Sequence, residues 1–126
     1  MYEYDPSIEP DKAAWLEATE SERLSAVLEF HENSNDSLDE SALNIHSSIH
    51  VIVENQLAMG VELLPETMEK LMRQGLDRHE AIHAIGAIMC EDINEILRGE
   101  KAEFSPKQYR RKLEKITAKR WRKGQY

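Results

Sequence analysis

The stretch DRHEAIHAIGAIMCEDINEIL, residues 77–97, decides the fold class, because its apolar residues recur with the period of an α-helix. Asp77 stands where a helix N-cap is expected, and Gly99 follows the last periodic residues as a C-terminal glycine does. At about 100° per residue, one stripe of this helix carries Ile82, Gly86, Cys90, Ile93 and Leu97. The stretch therefore predicts one long amphipathic helix.

The segments around this stretch also have helical patterns, with proline and glycine at the breaks between them. Pro10 suits the first turn of a short helix, and Ser21 suits the N-cap of the next one. The composition of NSNDS, residues 33–37, predicts a loop. The other helices are predicted at residues 38–58, at residues 64–75, and after Ser105-Pro106, where Tyr109, Leu113 and Ile116 form an apolar seam.

No run of alternating β-branched residues predicts a strand, so we expect an all-α fold. The chain of 126 residues suits one domain spanning residues 1–126, built as a single compact bundle of five or six helices. Residues 38–58 and 77–97 should form its central pair, whereas residues 1–10 and 122–126 should be loose termini.

The composition indicates in which cellular compartment the protein is expected. No apolar run approaches the roughly 20 residues that a membrane span needs, and the N-terminus lacks the apolar core of a secretory signal. The single cysteine, Cys90, leaves no internal disulfide and suits a reducing environment. We therefore expect a cytoplasmic protein with no membrane partner.

Charge is distributed unevenly along the chain. The net charge is −8, but residues 105–126 carry nine Lys or Arg and one Glu, a net +8, so the remainder carries −16. The basic tail could bind nucleic acid or could pack on the acidic body. Packing is the favoured interpretation because the body repels phosphate, so no nucleic-acid partner is expected. Self-association into a homo-oligomer stays open.

Four of the five histidines form two pairs with a spacing of four residues, His46 with His50 and His79 with His83. Residues four apart lie side by side on a helix, so one metal ion could take both imidazoles of a pair. Glu54 extends the first pair by one more turn. Both pairs fall on or beside the predicted apolar stripes, so the imidazoles need partners such as a metal ion, carboxylates or water.

These residues predict a metal site between the two central helices, with His46, His50, Glu54, His79 and His83 as candidate ligands and Zn or Fe as the ion. The alternative is a purely structural polar cluster in a non-enzymatic interaction module with a basic C-terminal helix. The fifth histidine, His31, is predicted to be a cap or surface residue at the end of its helix.

The sequence HEAIH, residues 79–83, matches the zinc-binding motif H-E-x-x-H, in which Glu80 would be the catalytic base. The longer stretch resembles the metzincin pattern as far as Gly86, but Met89 stands where the third histidine ligand belongs. With Asp77 as N-cap, Glu80 also occupies the position that completes a capping box. The peptidase interpretation is therefore disfavoured, and the sequence leaves open whether the chain is an enzyme.

Two stretches, NIHSSIHVIVENQLAMG at residues 44–60 and MRQGLDRHEAIHAIGAI at residues 72–88, resemble a group of small, uncharacterised bacterial proteins classed as a domain of unknown function. WLEATESERLSAVLEFH and LEKITAKRW resemble the same group, in the same order. The resemblance implies a compact, all-helical bacterial domain and carries over no catalytic residues.

Overall fold

A computed structural model describes residues 3–34, 39–100 and 103–125 of the chain. These residues form helices and no strand, which confirms the all-α prediction. Within those ranges there are seven helices rather than five or six: α1 (Lys12–Glu17), α2 (Glu20–Asn33), α3 (Glu40–Ala58), α4 (Leu64–Arg73), α5 (Arg78–Leu97), α6 (Pro106–Lys115) and α7 (Ala118–Arg122). None of them combines the length and the apolar character that a membrane crossing requires.

Contacts between α-carbons group the chain into two units, Met1–Val61 and Glu62–Tyr126. They are called the first and second unit below, and each is described by itself. The prediction of a single domain over residues 1–126 stays a prediction.

In the first unit, α1 and α2 pack against α3. One cluster of buried apolar residues in this unit contains Tyr4, Trp15, Ala26, Val27 and Val51. The Trp15 indole donates a hydrogen bond to the side-chain oxygen of Asn55 at 2.8 Å, which satisfies the polar edge of a fully buried ring. Tyr4 lies in this core, so the N-terminal stretch 1–10 is not a loose terminus at that residue.

The helix starts of the first unit are set by side-chain caps. Asp11 caps α1, so the helix begins after Pro10 rather than with it in the first turn. Thr19, not Ser21, caps α2: Thr19 Oγ1 accepts from the Glu22 amide at 3.1 Å, and Glu22 Oε1 accepts from the Thr19 amide at 2.9 Å. This reciprocal capping box satisfies two amides, which explains the earlier start.

The loop predicted at residues 33–37 begins later than expected, since Asn33 still belongs to α2 and Ser34 is its C-cap. Residues 35–38 lie outside the described ranges. Asp39 then caps α3 by accepting a hydrogen bond from the Ala42 amide at 2.8 Å.

In the second unit, α4 and α6 pack against α5. Gly75, with φ of +105°, makes the turn between α4 and α5, as its C-terminal position predicts. Because α5 contacts helices on two sides, its buried face is wider than the predicted stripe and includes Ile85, Ile88 and Met89. Ile93 and Leu97, which the prediction placed on the stripe, are exposed instead.

The basic tail packs on acidic and polar groups of the second unit. Tyr109, Leu113 and Ile116 are all buried, which confirms the predicted apolar seam. Lys112 Nζ lies 3.1 Å from Oδ1 of the fully buried Asp92. The tail is nevertheless two helices, because α6 ends at Lys115 and Thr117 caps α7.

Candidate metal centre

Three histidines of the first unit meet where α2 packs against α3. His46 and His50 lie on successive turns of α3, and His31 lies in the last turn of α2. The ring centroids are 4.7 Å apart for His31 and His46, 4.7 Å for His31 and His50, and 4.8 Å for His46 and His50. Each ring offers one nitrogen within 4.8 Å of those of the other two. We call these residues the three-histidine cluster.

The cluster is enclosed in the helix packing. His31 and His50 are 2% and 1% exposed, and His46 is half-buried. Buried imidazoles are usually neutral, because burial disfavours the charged ring. The arrangement therefore brings three imidazole nitrogens to one place, with one ring at its more open edge.

The prediction that His31 is a cap or surface residue is wrong. Its Nδ1 does bond locally, to the Val27 carbonyl oxygen at 2.9 Å, but the ring lies in the core rather than at the surface. One available signal was its position on the same helical face as Leu24 and Val27. The nearness of α3, which brings His46 and His50 to this face, could not be deduced from helical periodicity.

The Val27 contact fixes the proton position on His31. A carbonyl oxygen only accepts, so Nδ1 of His31 must be the donor. In the neutral ring the lone pair then belongs to Nε2. Ser47 Oγ lies 3.3 Å from the same Nδ1 and adds a second polar contact on that side of the ring. His31 thus has the protonation pattern of a histidine that binds a metal through Nε2.

Tyr4 and Glu54 fix the position of the ring proton on His50 in the same way. The Tyr4 hydroxyl donates to Glu54 Oε2 at 2.7 Å and lies 3.0 Å from Nδ1 of His50. A hydroxyl has one proton, and the Tyr4 hydroxyl uses it in the hydrogen bond to Glu54. Its oxygen therefore accepts a hydrogen bond from Nδ1–H of His50. The neutral His50 ring therefore also carries its lone pair on Nε2.

Glu54 was predicted as a metal ligand beside His46 and His50. It lies one turn beyond His50 and is 1% exposed, as a buried ligand would be. Its Oε2, however, is the acceptor for Tyr4, and Glu54 is absent from the group of mutually close ligand atoms found among the described residues. The structure thus connects Glu54 to the cluster through Tyr4.

The second predicted pair, His79 and His83, lies in the first two turns of α5 in the second unit. The two rings are 4.3 Å apart between centroids and both are half-buried. The spacing of four residues thus brings these imidazoles together, as predicted. That they share one site with His46 and His50 stays a prediction.

Glu80, the candidate catalytic base, is exposed in the first turn of α5. Asp77 accepts from the Glu80 amide at 2.8 Å, which confirms the predicted N-cap. In place of the reciprocal half of a capping box, Glu80 Oε1 accepts from the Trp121 indole at 3.3 Å. Its side chain therefore connects α5 with α7.

Cys90 lies half-buried on α5, in the second unit. Burial raises the pKa of its thiol, which disfavours the thiolate. Because the thiolate is the nucleophile and the metal ligand, burial makes Cys90 a weaker candidate for either role.

No protein-family model matches the chain, and no curated protein or solved structure matches it either. The resemblance to a bacterial domain of unknown function therefore stays a prediction.

Proposed function

We propose that this chain is a metal-binding helical protein and that the three-histidine cluster holds one divalent transition-metal ion. The observation that supports this proposal is that the three rings converge while two of them, His31 and His50, have Nδ1 hydrogen-bonded to acceptors. Metal-binding histidines almost always donate their second ring N–H to a carboxylate, a backbone carbonyl or water. That arrangement supports ligation more strongly than the clustering alone.

The donor set favours particular ions. Imidazole nitrogen suits Zn²⁺, Fe²⁺, Cu²⁺ and Ni²⁺. Within the part of the chain that the structure describes, no thiolate or carboxylate joins the cluster to select a softer or harder ion. Three histidines with a remaining open position match catalytic zinc sites, whereas non-haem Fe²⁺ sites commonly take two histidines and one carboxylate. We therefore propose Zn²⁺ as the first ion to test and Fe²⁺ as the second.

The number of protein ligands determines what chemistry the ion supports. Three protein ligands leave a position for water, whose pKa a zinc ion lowers toward neutrality, and the protein is then a candidate hydrolase. We also retain the proposal that His79 and His83 contribute ligands, with Glu80 as a base. Four protein ligands would close the site and give the ion a structural role.

The test begins with protein purified without a histidine tag, whose metal content is measured at pH 7.5. One ion per chain is expected, with a lower melting temperature after chelation and recovery on adding one equivalent of Zn²⁺, because a ligand that binds only the folded state stabilises it. Protein without metal that responds to neither chelator, Zn²⁺ nor Fe²⁺ would overturn the proposal in favour of a structural histidine cluster.

Two double variants then assign the ligands. His31→Ala/His50→Ala should abolish binding of Zn²⁺, as judged by calorimetry on folded protein. His79→Ala/His83→Ala should weaken binding if the second pair contributes ligands. Unchanged affinity in the second variant would confine the site to the first unit.

A further inference from the structure

A buried hydrogen-bonded chain joins the N-terminal segment to the three-histidine cluster. Tyr4 Oη is 2.7 Å from Glu54 Oε2 and 3.0 Å from His50 Nδ1. Tyr4, His50 and Glu54 are 4%, 1% and 1% exposed, so the two contacts are shielded from water. The Tyr4 ring also meets the His50 ring edge to face, with centroids 6.0 Å apart. The hydroxyl is therefore held in place by packing as well as by hydrogen bonds.

We infer that Tyr4 and Glu54 act together as positioning residues for the metal centre. The Tyr4 hydroxyl oxygen accepts a hydrogen bond from Nδ1–H of His50, and Glu54 polarises the Tyr4 hydroxyl by accepting a hydrogen bond from it. The pair fixes His50 in the form that presents Nε2 and makes that nitrogen a stronger donor to a metal ion. Glu54 thereby acts from outside the ligand set. This inference rests on the proposed function.

Two features favour this role over direct ligation by either residue. Tyr4 already bonds both His50 and Glu54 through one oxygen, and binding a metal there would displace one of these buried contacts. A carboxylate that reaches a histidine through a hydroxyl keeps its negative charge near the ion without occupying a coordination position. The remaining positions then stay available to water or to a further ligand.

Tyr4→Phe removes the hydroxyl and keeps the ring, so it isolates the positioning effect from core packing. The affinity for Zn²⁺ should fall about 10- to 100-fold, the usual effect of losing an outer partner of a metal-bound histidine. Tyr109→Phe is the matched control: it removes the same atom from a tyrosine that is 5% exposed, in the second unit. Its affinity for Zn²⁺ should equal that of the wild type.

A second readout reports the position of the proton itself. Long-range ¹H–¹⁵N correlation spectra of the metal-free protein should show His50 protonated at Nδ1, and Tyr4→Phe should convert this signal to a mixture of both tautomers. A purely structural Tyr4 would lower stability without moving the tautomer. Glu54→Gln keeps an oxygen acceptor for Tyr4, so it should retain the Nδ1 tautomer while binding Zn²⁺ more weakly than the wild type.

The outcomes separate this inference from the proposed function. Wild-type protein that binds no Zn²⁺ or Fe²⁺ overturns the proposed function, whatever the tautomer. Wild-type protein that binds Zn²⁺, with Tyr4→Phe binding equally well and His50 unchanged in its spectrum, overturns the positioning role alone. A loss of affinity in both Tyr4→Phe and Tyr109→Phe also contradicts it, because the effect would then follow general destabilisation.

Discussion

Each buried histidine of the first unit is held by a different partner. His31 donates to a carbonyl four residues earlier on its own helix, whereas His50 meets a hydroxyl from Tyr4, 46 residues away in sequence. Helical spacing was enough to pair His46 with His50, because that contact is local. Helical spacing could not identify Tyr4 as a partner of His50, since nothing in the sequence around Tyr4 distinguishes a core position from a loose terminus.

The thiol of Cys90 should react slowly in the folded protein. Burial raises its pKa, so the thiolate fraction at pH 8 is smaller than that of a free cysteine with a pKa of about 8.5. Alkylation by iodoacetamide, followed by mass spectrometry, should therefore be slower in buffer than in urea. The unfolded chain is its own control because it contains the same single thiol. Equal rates would show that the thiol is fully accessible when folded.

Most helix ends in this protein are determined locally, which is why several were predictable. Asp77 caps α5 and Gly75 and Gly99 have positive φ, as their positions in the sequence indicated. The start of α2 was predicted two residues late because a capping box depends on two side chains adopting the right geometry together. The break at Thr117 was missed because the apolar spacing continues across it.

Thr19→Ala should lower the free energy of unfolding by about 1 kcal/mol at pH 7, the usual cost of losing such a cap. Ser21→Ala is the matched control and should stay within about 0.5 kcal/mol of the wild type, because Ser21 is exposed and is not the cap. Urea titration of the three proteins measures both effects. A larger loss for Ser21→Ala than for Thr19→Ala would contradict the assigned helix start.

The same cap should weaken in acid. Hydrogen bonds from the Thr19 amide and hydroxyl lower the pKa of Glu22. Because the pKa of Glu22 is lower in the folded protein than in the unfolded chain, where it is near 4.3, the ionised carboxylate stabilises the folded state above the unfolded-state pKa. This stabilisation is lost as the pH falls through the folded-state pKa. The difference in unfolding free energy between wild type and Thr19→Ala should therefore narrow from pH 6 to pH 3. A difference that is constant over this range would exclude the Glu22 contribution.

The contact of α6 with α5 depends on a charge pair. Lys112→Met removes the cation beside the fully buried Asp92 and should cost about 2 kcal/mol, somewhat less than a fully buried pair because Lys112 is partly exposed. The double variant Asp92→Asn/Lys112→Met leaves no buried charge and should be more stable than Lys112→Met alone. Thermal unfolding compares these variants with the wild type, and a Lys112→Met variant as stable as the wild type would show that the pair contributes nothing.

Across the whole chain, fold class was easier to predict than organisation. Helical periodicity alone gave the all-α class, since it appears in every long segment. The two units could not be foreseen, because the sequence has no linker of distinctive composition near Val61. The charge imbalance was informative, because two basic residues of α6 have acidic partners elsewhere in the second unit. Arg110 lies 3.0 Å from Glu62, and Lys112 lies 3.1 Å from Asp92.

The intact protein should therefore bind DNA weakly. A peptide of residues 105–126 carries the same basic groups without Glu62, Glu91 and Asp92. It should therefore bind a labelled duplex at 50 mM salt and release it at 200 mM. Fluorescence anisotropy with the full chain under the same conditions should show little binding at either salt concentration. Full-chain affinity equal to that of the peptide would mean that the tail is available to nucleic acid.

Cleavage of the chain beside Tyr4 by a protease would affect how much metal the proposed centre holds. A cut between Tyr4 and Asp5 would remove an outer support of the proposed ion while leaving every ligand in place. The metal occupancy of the protein would then depend on Tyr4 remaining attached to the chain. Cleaved and intact molecules in one sample would differ in metal loading although both retain every ligand.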